Sequence, residues 1–418
     1  MEQLKNLTVI AKSEPQAAYA AFTASFKHEL TYFIRTVPNL GHVLKPLDDF
    51  IEDHFIPAIT EGHVVTPDER KLLSLPVRLG GSGIPIYTEL CEREFNNSLK
   101  ATQILRTNIV SQQPIYTVNK RVEKEIEKGI KSEREEYQKA VLTDVRSRMS
   151  YKQTRGNDLA QMKGASAWLT ALPVKDEGYA LNKREFFDAI SLRYRWNLKR
   201  LPSKCACNKT FNMDHAMSCS TGGYNIRRHN RLRDLFAELL NDVAFGVETE
   251  PDLEPLTGES LPDGANIDVE ARLDIAARGF WQDCEMAFFD VRVFNPFARS
   301  HLRNNLDSVF KSNEKAKKRE YNSRVIQIEH GTFTPIVFSS LGGYGHETGR
   351  FVSKLIEKIS EKKDMEKSVV ASYVRTKVSF ELIRAQVACI RGSRKLKKTV
   401  VDAGEMEVVN NLSSIQES

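Results

Sequence analysis

Residues 272–293 constrain the fold most, because the sequence there places one acidic residue inside each of two short apolar runs. The first run alternates apolar residues around Asp274, and the second is apolar apart from Asp290 and a basic residue two positions later. The Arg278-Gly279 pair between the runs is a turn signal, so the stretch predicts a β-hairpin. A carboxylate inside an apolar strand costs free energy unless a cation or hydrogen-bond donors satisfy it.

Two carboxylates on neighbouring strands form a natural site for a hard divalent cation, and we expect Asp274 and Asp290 to bind Mg²⁺. Arg292 follows Asp290 by two residues and therefore lies on the same face of its strand. We expect Glu250, or the backbone carbonyl beside it, to join the two acids as a further ligand. The competing interpretation is structural, because acids in strands often pair with an arginine such as Arg272 or Arg292.

The strongest local signal is a cluster of three of the six cysteines with one histidine. The spacing is C-x-C-x7-H-x3-C, formed by Cys205, Cys207, His215 and Cys219. Three thiolates and one imidazole complete a tetrahedral zinc site without leaving a position for water, so the zinc is predicted to be structural. Buried free thiols are the alternative. Six cysteines in 418 residues are too few for a disulfide scaffold, which favours a reducing compartment.

The composition is that of a globular protein, with 41% hydrophobic and 28% charged residues. The 61 Lys+Arg residues exceed the 55 Asp+Glu residues by 6, a mild positive balance that permits a polyanionic partner. No apolar run is long enough to span a membrane, and the N-terminal residues lack the apolar core of a secretory signal. We therefore expect no membrane partner and a nuclear or cytoplasmic location.

Apolar residues at helical spacing dominate the N-terminal half. Residues 72–85 are too rich in Gly and Pro for a helix and predict an ordered loop or a short strand. Phe186 and Ile190 are predicted to lie in the core. The predicted segments are a thumb-like helical region (1–118), a charged linker helix (119–163), a basic and aromatic segment with the zinc knuckle (164–224), an α/β core (225–362), and a closing helix with a disordered tail (363–418).

The C-terminal half is predicted to run helix, three strands, helix and strand. Its first helix, about residues 226–243, opens with basic side chains where a helix start prefers acids, which indicates a polyanionic partner. The second helix is basic as well. The residues predicted to contact nucleic-acid phosphates are Arg227, Arg228, Arg231, Lys315 and Lys318, and further polyanion contacts are predicted at Arg193, Arg195 and Arg200.

Taken in order, these motifs resemble the C-terminal part of non-LTR retrotransposon polyproteins that carry a restriction-like endonuclease, and the resemblance covers most of the chain. Residues 72–85 are similar to the segment that follows the polymerase region of such elements. Leu273 stands where the family usually has Pro, and Arg292 stands where it usually has Lys. Besides the CCHC knuckle, the resemblance rests on Arg228, His229, Asn230, Arg272, Asp274, Asp290, Arg319 and Tyr321.

The resemblance implies an α/β core of the restriction-endonuclease, or PD-(D/E)XK, type that follows a zinc knuckle. It implies a Mg²⁺-dependent endonuclease that nicks DNA, in which His229, Arg292 and Glu250 join Asp274 and Asp290 in the catalytic group. The element's RNA and a separate reverse transcriptase portion are further candidate partners, since neither Tyr-x-Asp-Asp nor Phe-x-Asp-Asp occurs in the sequence. The alternative is a catalytically inactive, zinc-stabilised module that binds DNA or RNA.

Overall fold

The computed structural model describes residues 1–113 and 120–394 and has a mixed α/β architecture, which confirms the predicted class at that level. A four-stranded mixed sheet lies in the C-terminal half, and helices form most of the remainder. Within the described ranges, none of the helices combines the length and the apolar character that a membrane crossing requires.

The N-terminal half is helical, as its apolar spacing predicts. Several helices begin at polar caps, among them the capping boxes Thr66/Glu69, Ser150/Gln153 and Asn182/Glu185, which satisfy free backbone N–H groups at the helix start. The α-helices of this half are α1 Glu2–Ala11, α2 Pro15–Ala21, α3 Lys27–Glu29, α4 Thr31–Thr36, α5 Gly41–Phe50, α6 Ile56–Ile59, α7 Pro67–Ser74, α8 Tyr87–Ala101, α9 Gln103–Val110, α10 Lys120–Arg148, α11 Tyr151–Gln161, α12 Ala167–Thr170, α13 Lys183–Tyr194 and α14 Met213–Ser218. Two π-helical segments, Phe22–Phe26 and Ile51–Phe55, and a 3-10 turn, Val77–Leu79, lie between them.

One apolar core runs through this half, from α1 to α13. Phe186 and Ile190 are buried in it, which confirms their predicted place. The charged helix α10 also contributes, because Leu142 and Val145 near its C-terminal end are buried in the same core. The core is therefore continuous across residue 164, where the sequence analysis places a segment boundary.

The predicted loop at 72–85 is ordered, although its first residues complete α7. The backbone at Gly81 approaches so closely that a Cβ there would lie 2.0 Å from the carbonyl oxygen of Leu75, so only glycine fits. Arg193 is buried and donates to the carbonyl oxygens of Val77 and Gly81. Its guanidinium fixes this loop, which overturns its predicted role as a polyanion contact. Arg195 likewise pairs with Asp214 inside the protein.

The C-terminal half has the predicted order of helix, three strands, helix and strand. Strands β1–β2 and β2–β3 are antiparallel, β3–β4 are parallel, and the spatial order is β1-β2-β3-β4. The elements are α15 Tyr224–Asn241, β1 Phe245–Thr249, β2 Ile275–Arg278, β3 Met286–Phe294, α16 Arg299–Leu302, α17 Leu306–Gln327, β4 Thr332–Ser339, α18 His346–Lys363 and α19 Lys367–Arg391.

Helices cover both faces of the sheet. Alternate residues of β3, such as Phe289 and Val291, pack with α15, α18 and α19, while Phe288 packs towards α17. Helix α17 is the crossover between the parallel strands β3 and β4. Helix α19 contributes residues to the core of each half, Phe380 to the helical core and Val374 to the sheet core, so it joins the two.

The predicted hairpin forms, with two differences. Strand β2 begins at Ile275, so Asp274 lies just before the strand, and the connection to β3 spans residues 279–285 instead of a two-residue turn. Ile275 pairs with Phe289, which brings Asp274 beside the middle of β3. The predicted disordered tail falls largely on residues 395–418, which lie outside the described residues.

Candidate functional sites

The Cys/His centre brings the side chains of Cys205, Cys207, His215 and Cys219 together. Their ligand atoms all lie within 4.8 Å of one another. The sulfurs of Cys205 and Cys219 are 3.7 Å apart, and Cys207 Sγ lies 3.4 Å from His215 Nε2. A tetrahedral zinc ion with sulfurs at about 2.3 Å requires a sulfur–sulfur separation of about 3.8 Å. The group can therefore hold a metal ion, and its geometry is compatible with zinc.

Local structure positions these ligands. The side chain of Asn212 caps α14 by accepting the N–H of His215 at 2.8 Å, which places the imidazole in the first turn of that helix. Lys204 and Thr210 form a β-bridge around the turn that carries Cys205 and Cys207. The spacing of the motif thus reflects two small elements, a bridged turn and one short helix.

The Cys/His centre is fastened to the end of β3. Asn295, which follows that strand, donates to Ser218 Oγ at 2.7 Å and to the carbonyl of Asp214 at 3.3 Å. Arg228 donates to the carbonyls of Met217 and Val293, so one guanidinium spans the knuckle and the strand. A change in the knuckle is therefore expected to reach the strand that carries Asp290.

The two predicted acids lie in one cluster at the sheet. Asp274 Oδ2 accepts the backbone N–H of Val291 at 2.6 Å, and its Oδ1 lies 2.9 Å from Nε2 of His229 on α15. Asp290 is buried, and its Oδ1 is 3.1 Å from Nζ of Lys317 on α17. Among the described residues, no hydrogen-bond partner reaches Oδ2 of Asp290.

The electrostatics follow from burial and from the neighbouring charges. Burial, together with the nearby Asp274, raises the pKa of Asp290 to about 6, although Lys317 opposes the shift. Burial works against the charge on Lys317, but the attraction of Asp290 outweighs it and raises the pKa of the ammonium group. Burial also opposes the charge on His229, and the contact with Asp274 outweighs it, which raises the pKa of the imidazole.

This arrangement fits a divalent cation on physical grounds. A buried carboxylate oxygen without a partner is unfavourable in the protein alone, and a hard cation removes that penalty. Asp274 is held by a backbone N–H and by His229, so its carboxylate is fixed beside Asp290.

Glu250 and Arg292, the other two residues predicted near the acids, differ in where their side chains lie. The Glu250 carboxylate is exposed and paired with Arg233, while its backbone N–H donates to the carbonyl of Asp274 at 2.9 Å. Its backbone is therefore adjacent to the site, and its side chain is used elsewhere. Arg292 is partly buried, and within the described ranges its guanidinium forms no ion pair or hydrogen bond.

Lys317 is a site residue that sequence reasoning missed, because a basic helix does not by itself indicate which of its cations faces the sheet. The buried residues of α17, which include Phe310, Asn313, Tyr321 and Arg324, recur at helical spacing, and Lys317 falls among them. That periodicity was the signal that could have identified it.

The predicted nucleic-acid contacts are not all available. Arg228 is buried and bonded to backbone carbonyls, so it differs from its predicted role for the same reason as Arg193. Arg231 pairs with Glu381 at 2.7 Å, and Lys318 pairs with Glu347 at 3.0 Å. Arg227 and Lys315 are exposed, and Arg227 lies over the ring of Tyr224 at 5.4 Å.

The fold and the two sites describe a mixed α/β protein with a Cys/His centre that can hold a metal ion and a separate buried carboxylate cluster. No protein-family model matches the chain, and a search of curated proteins found no significant match.

Proposed function

We propose that the protein is a Mg²⁺-dependent endonuclease that nicks duplex DNA, with a core of the restriction-endonuclease type and a structural zinc ion in its knuckle. The observation that carries the proposal is the buried Asp290, beside Asp274 and Lys317, whose Oδ2 has no hydrogen-bond partner within residues 1–113 and 120–394. The order of helix, three strands, crossover helix and parallel strand is the order expected for that core. We further propose kinship with the endonuclease portion of non-LTR retrotransposon polyproteins.

Asp274 and Asp290 would hold the Mg²⁺ ion, which supplies charge neutralisation at the scissile phosphate and makes water more acidic. His229 positions Asp274 through the contact at 2.9 Å. The ammonium of Lys317 is protonated at neutral pH, as its raised pKa requires, so it stabilises negative charge on the phosphate and does not act as a base.

Arg292 lies on the Asp290 face of β3 and supplies a second positive charge. A guanidinium remains protonated at neutral pH, so Arg292 can stabilise the pentacoordinate phosphate but cannot remove a proton from water. Lys317 from α17 and Arg292 from β3 together take the place of the lysine that such sites usually carry two residues after the second acid.

The second candidate is a zinc-stabilised nucleic-acid-binding module without catalysis. The ion pair between Asp290 and Lys317 favours it, because an internal pair gives Asp290 a structural role. The unpartnered Oδ2 and the second acid at Asp274 favour the enzyme, since a pure binding module gains nothing from two carboxylates that repel phosphate.

Nicking of supercoiled plasmid, with and without Mg²⁺, distinguishes the two candidates. We expect wild type to nick in Mg²⁺ and Asp290→Ala to lose nicking while it binds DNA as well as or more tightly than wild type. Asp283→Ala is the matched control, because Asp283 is an exposed acid in the β2–β3 connection. If wild type nicks no duplex in Mg²⁺ or Mn²⁺, the enzyme proposal fails and the binding module stands.

A further inference from the structure

Helix α17 has two faces with opposite roles. Its buried face, which includes Phe310, Tyr321 and Arg324, packs on the sheet and carries Lys317 towards Asp290. Its solvent face carries the exposed residues Lys311, Lys315 and Arg319, spaced four residues apart. Residues at this spacing line up along one side of a helix, so the three cations form a single stripe on the side away from Lys317.

No ion pair within the described ranges neutralises this basic stripe (Lys311, Lys315 and Arg319). In the part of the chain that the structure describes, its three side chains form no ion pair, hydrogen bond or ring contact. The neighbouring Lys318 differs, since it pairs with Glu347 at 3.0 Å. Like charges four residues apart destabilise a helix, so the stripe is unfavourable in the protein alone.

Two of the three acidic residues of α17 lie off this face, and the third, Asp307, lies in the first turn four residues before Lys311, in line with the stripe. Among the described residues the Asp307 carboxylate forms no ion pair with Lys311, so this face carries one acid against three cations. Glu314 is buried and accepts the backbone N–H of Glu347 at 3.0 Å, and Glu320 lies 3.3 Å from Lys317. Helix α10 provides the contrast, because its exposed lysines alternate with glutamates along the sequence. Charge on α10 is therefore balanced locally, whereas charge on the α17 stripe is not.

We propose that the basic stripe binds the phosphate backbone of duplex DNA at a position separate from the nicking site. The inference rests on the proposed function for its choice of DNA. The three side chains rise about 12 Å along the helix, which suits several phosphates of one strand. No aromatic side chain and no side-chain amide interrupts the three positions, so the contact is electrostatic and does not read the base sequence.

The test measures how salt affects binding of a random-sequence DNA duplex, by fluorescence anisotropy over a series of KCl concentrations. Each lost phosphate contact should reduce the slope of log K against log[KCl] by about 0.9. We expect the triple variant Lys311→Gln/Lys315→Gln/Arg319→Gln to bind more weakly and to lose about 2 to 3 units of slope.

The matched control is Lys124→Gln/Lys128→Gln/Lys131→Gln on α10, which removes the same charge from exposed positions of a balanced helix. We expect this control to keep the wild-type slope. If both triple variants lose the same slope, the effect is one of net charge and the inference is overturned. Thermal unfolding of both variants verifies that they fold.

Nicking is measured separately, at a protein concentration that saturates the plasmid. Wild type and Lys317→Gln are compared there, so the nicking result tests the proposed function and the salt slope tests the stripe. If wild type binds duplex but never nicks, the proposed function fails and the stripe is still tested by its slope. If the triple variant keeps the wild-type slope of log K against log[KCl], the proposed role of the stripe is overturned whatever the nicking result. If the variant loses binding only to single-stranded RNA, the assignment of the stripe to DNA is overturned.

Discussion

The Cys/His centre and the carboxylate cluster differ in how their residues are brought together and in what they do to stability. The four residues of the Cys/His centre lie between Cys205 and Cys219, and their ligand atoms converge in a geometry compatible with zinc. The carboxylate cluster draws Asp274, Asp290, Lys317 and His229 from four separate places in the chain. In the part of the chain that the structure describes, Oδ2 of the buried Asp290 has no hydrogen-bond partner.

The two sites are therefore expected to contribute to the stability of the fold with opposite signs. With the proposed zinc ion bound, a knuckle with a small core would depend on its metal, and its four ligands would stabilise the fold. The acids are held in place by the sheet and its helices, and the burial of Asp290 opposes folding while no cation is bound. Replacing a ligand side chain of the Cys/His centre should therefore lower the stability of the protein, whereas replacing Asp290 in the carboxylate cluster can raise it.

The largest effect is expected at the Cys/His centre. Apparent zinc-binding free energies of small zinc-finger domains are about 10–16 kcal/mol, so His215→Ala or Cys219→Ser should destabilise the C-terminal half by at least several kcal/mol, on the order of 5. Elemental analysis and thermal unfolding measure this. Cys284→Ser, at an exposed cysteine outside the cluster, should keep the zinc and the melting temperature. Pure wild-type protein without stoichiometric zinc would contradict the comparison.

The next effect concerns the two cations of the carboxylate cluster. Lys317→Gln should reduce the nicking rate by about 10²- to 10³-fold, the usual loss when one fixed charge-stabilising group is removed. Arg292→Ala should lower the rate less, because the Arg292 guanidinium forms no ion pair with either acid among the described residues, and Arg292→Lys should keep or raise the rate. Single-turnover nicking measures all three. If Arg292→Ala reduced the rate more than Lys317→Gln, Arg292 on β3 would be the main group that stabilises negative charge on the phosphate.

The sequence could predict the local parts of this molecule and not the long-range ones. The cysteine spacing predicted the metal centre because both of its elements are short and consecutive. The alternation around Asp274 and Asp290 predicted the hairpin because strand side chains repeat every second residue. The helical periodicity of α17 could have placed Lys317 on the buried face of that helix, but its pairing with Asp290 depends on the position of α17 against β3, which no local pattern specifies. Arg193 and Arg228 differ from prediction because burial is decided by distant segments.

The third prediction concerns pH and Mg²⁺ affinity. Because Asp290 has a pKa of about 6, a proton competes with the cation below that pH. Mg²⁺ affinity should fall about tenfold for each pH unit below 6 and should lose this dependence above it. Isothermal titration with Mg²⁺ at several pH values measures it, with circular dichroism to verify folding. Affinity that does not change across this range would mean that Asp290 is not a ligand.

The smallest effect separates the two sites by its sign. Asp290→Asn removes a buried negative charge but retains the shape of the side chain and an acceptor oxygen for Lys317. Lys317 also keeps its ion pair with Glu320, at 3.3 Å. The folded-state pKa of Asp290, about 6, lies above the usual 3.8, so the folded protein loses stability as the pH rises through that window. The variant has no such loss of stability. Near pH 3.8, the free energy of unfolding of the variant should match that of wild type. Above pH 6, in metal-free buffer, it should exceed that of wild type by about 1–2 kcal/mol. Asp274→Asn is the control, since Asp274 bonds both Val291 and His229 and its replacement should destabilise the protein. Denaturant unfolding at both pH values measures the difference, and a destabilised Asp290→Asn protein at neutral pH would show that the ion pair with Lys317 outweighs burial and that both sites are structural.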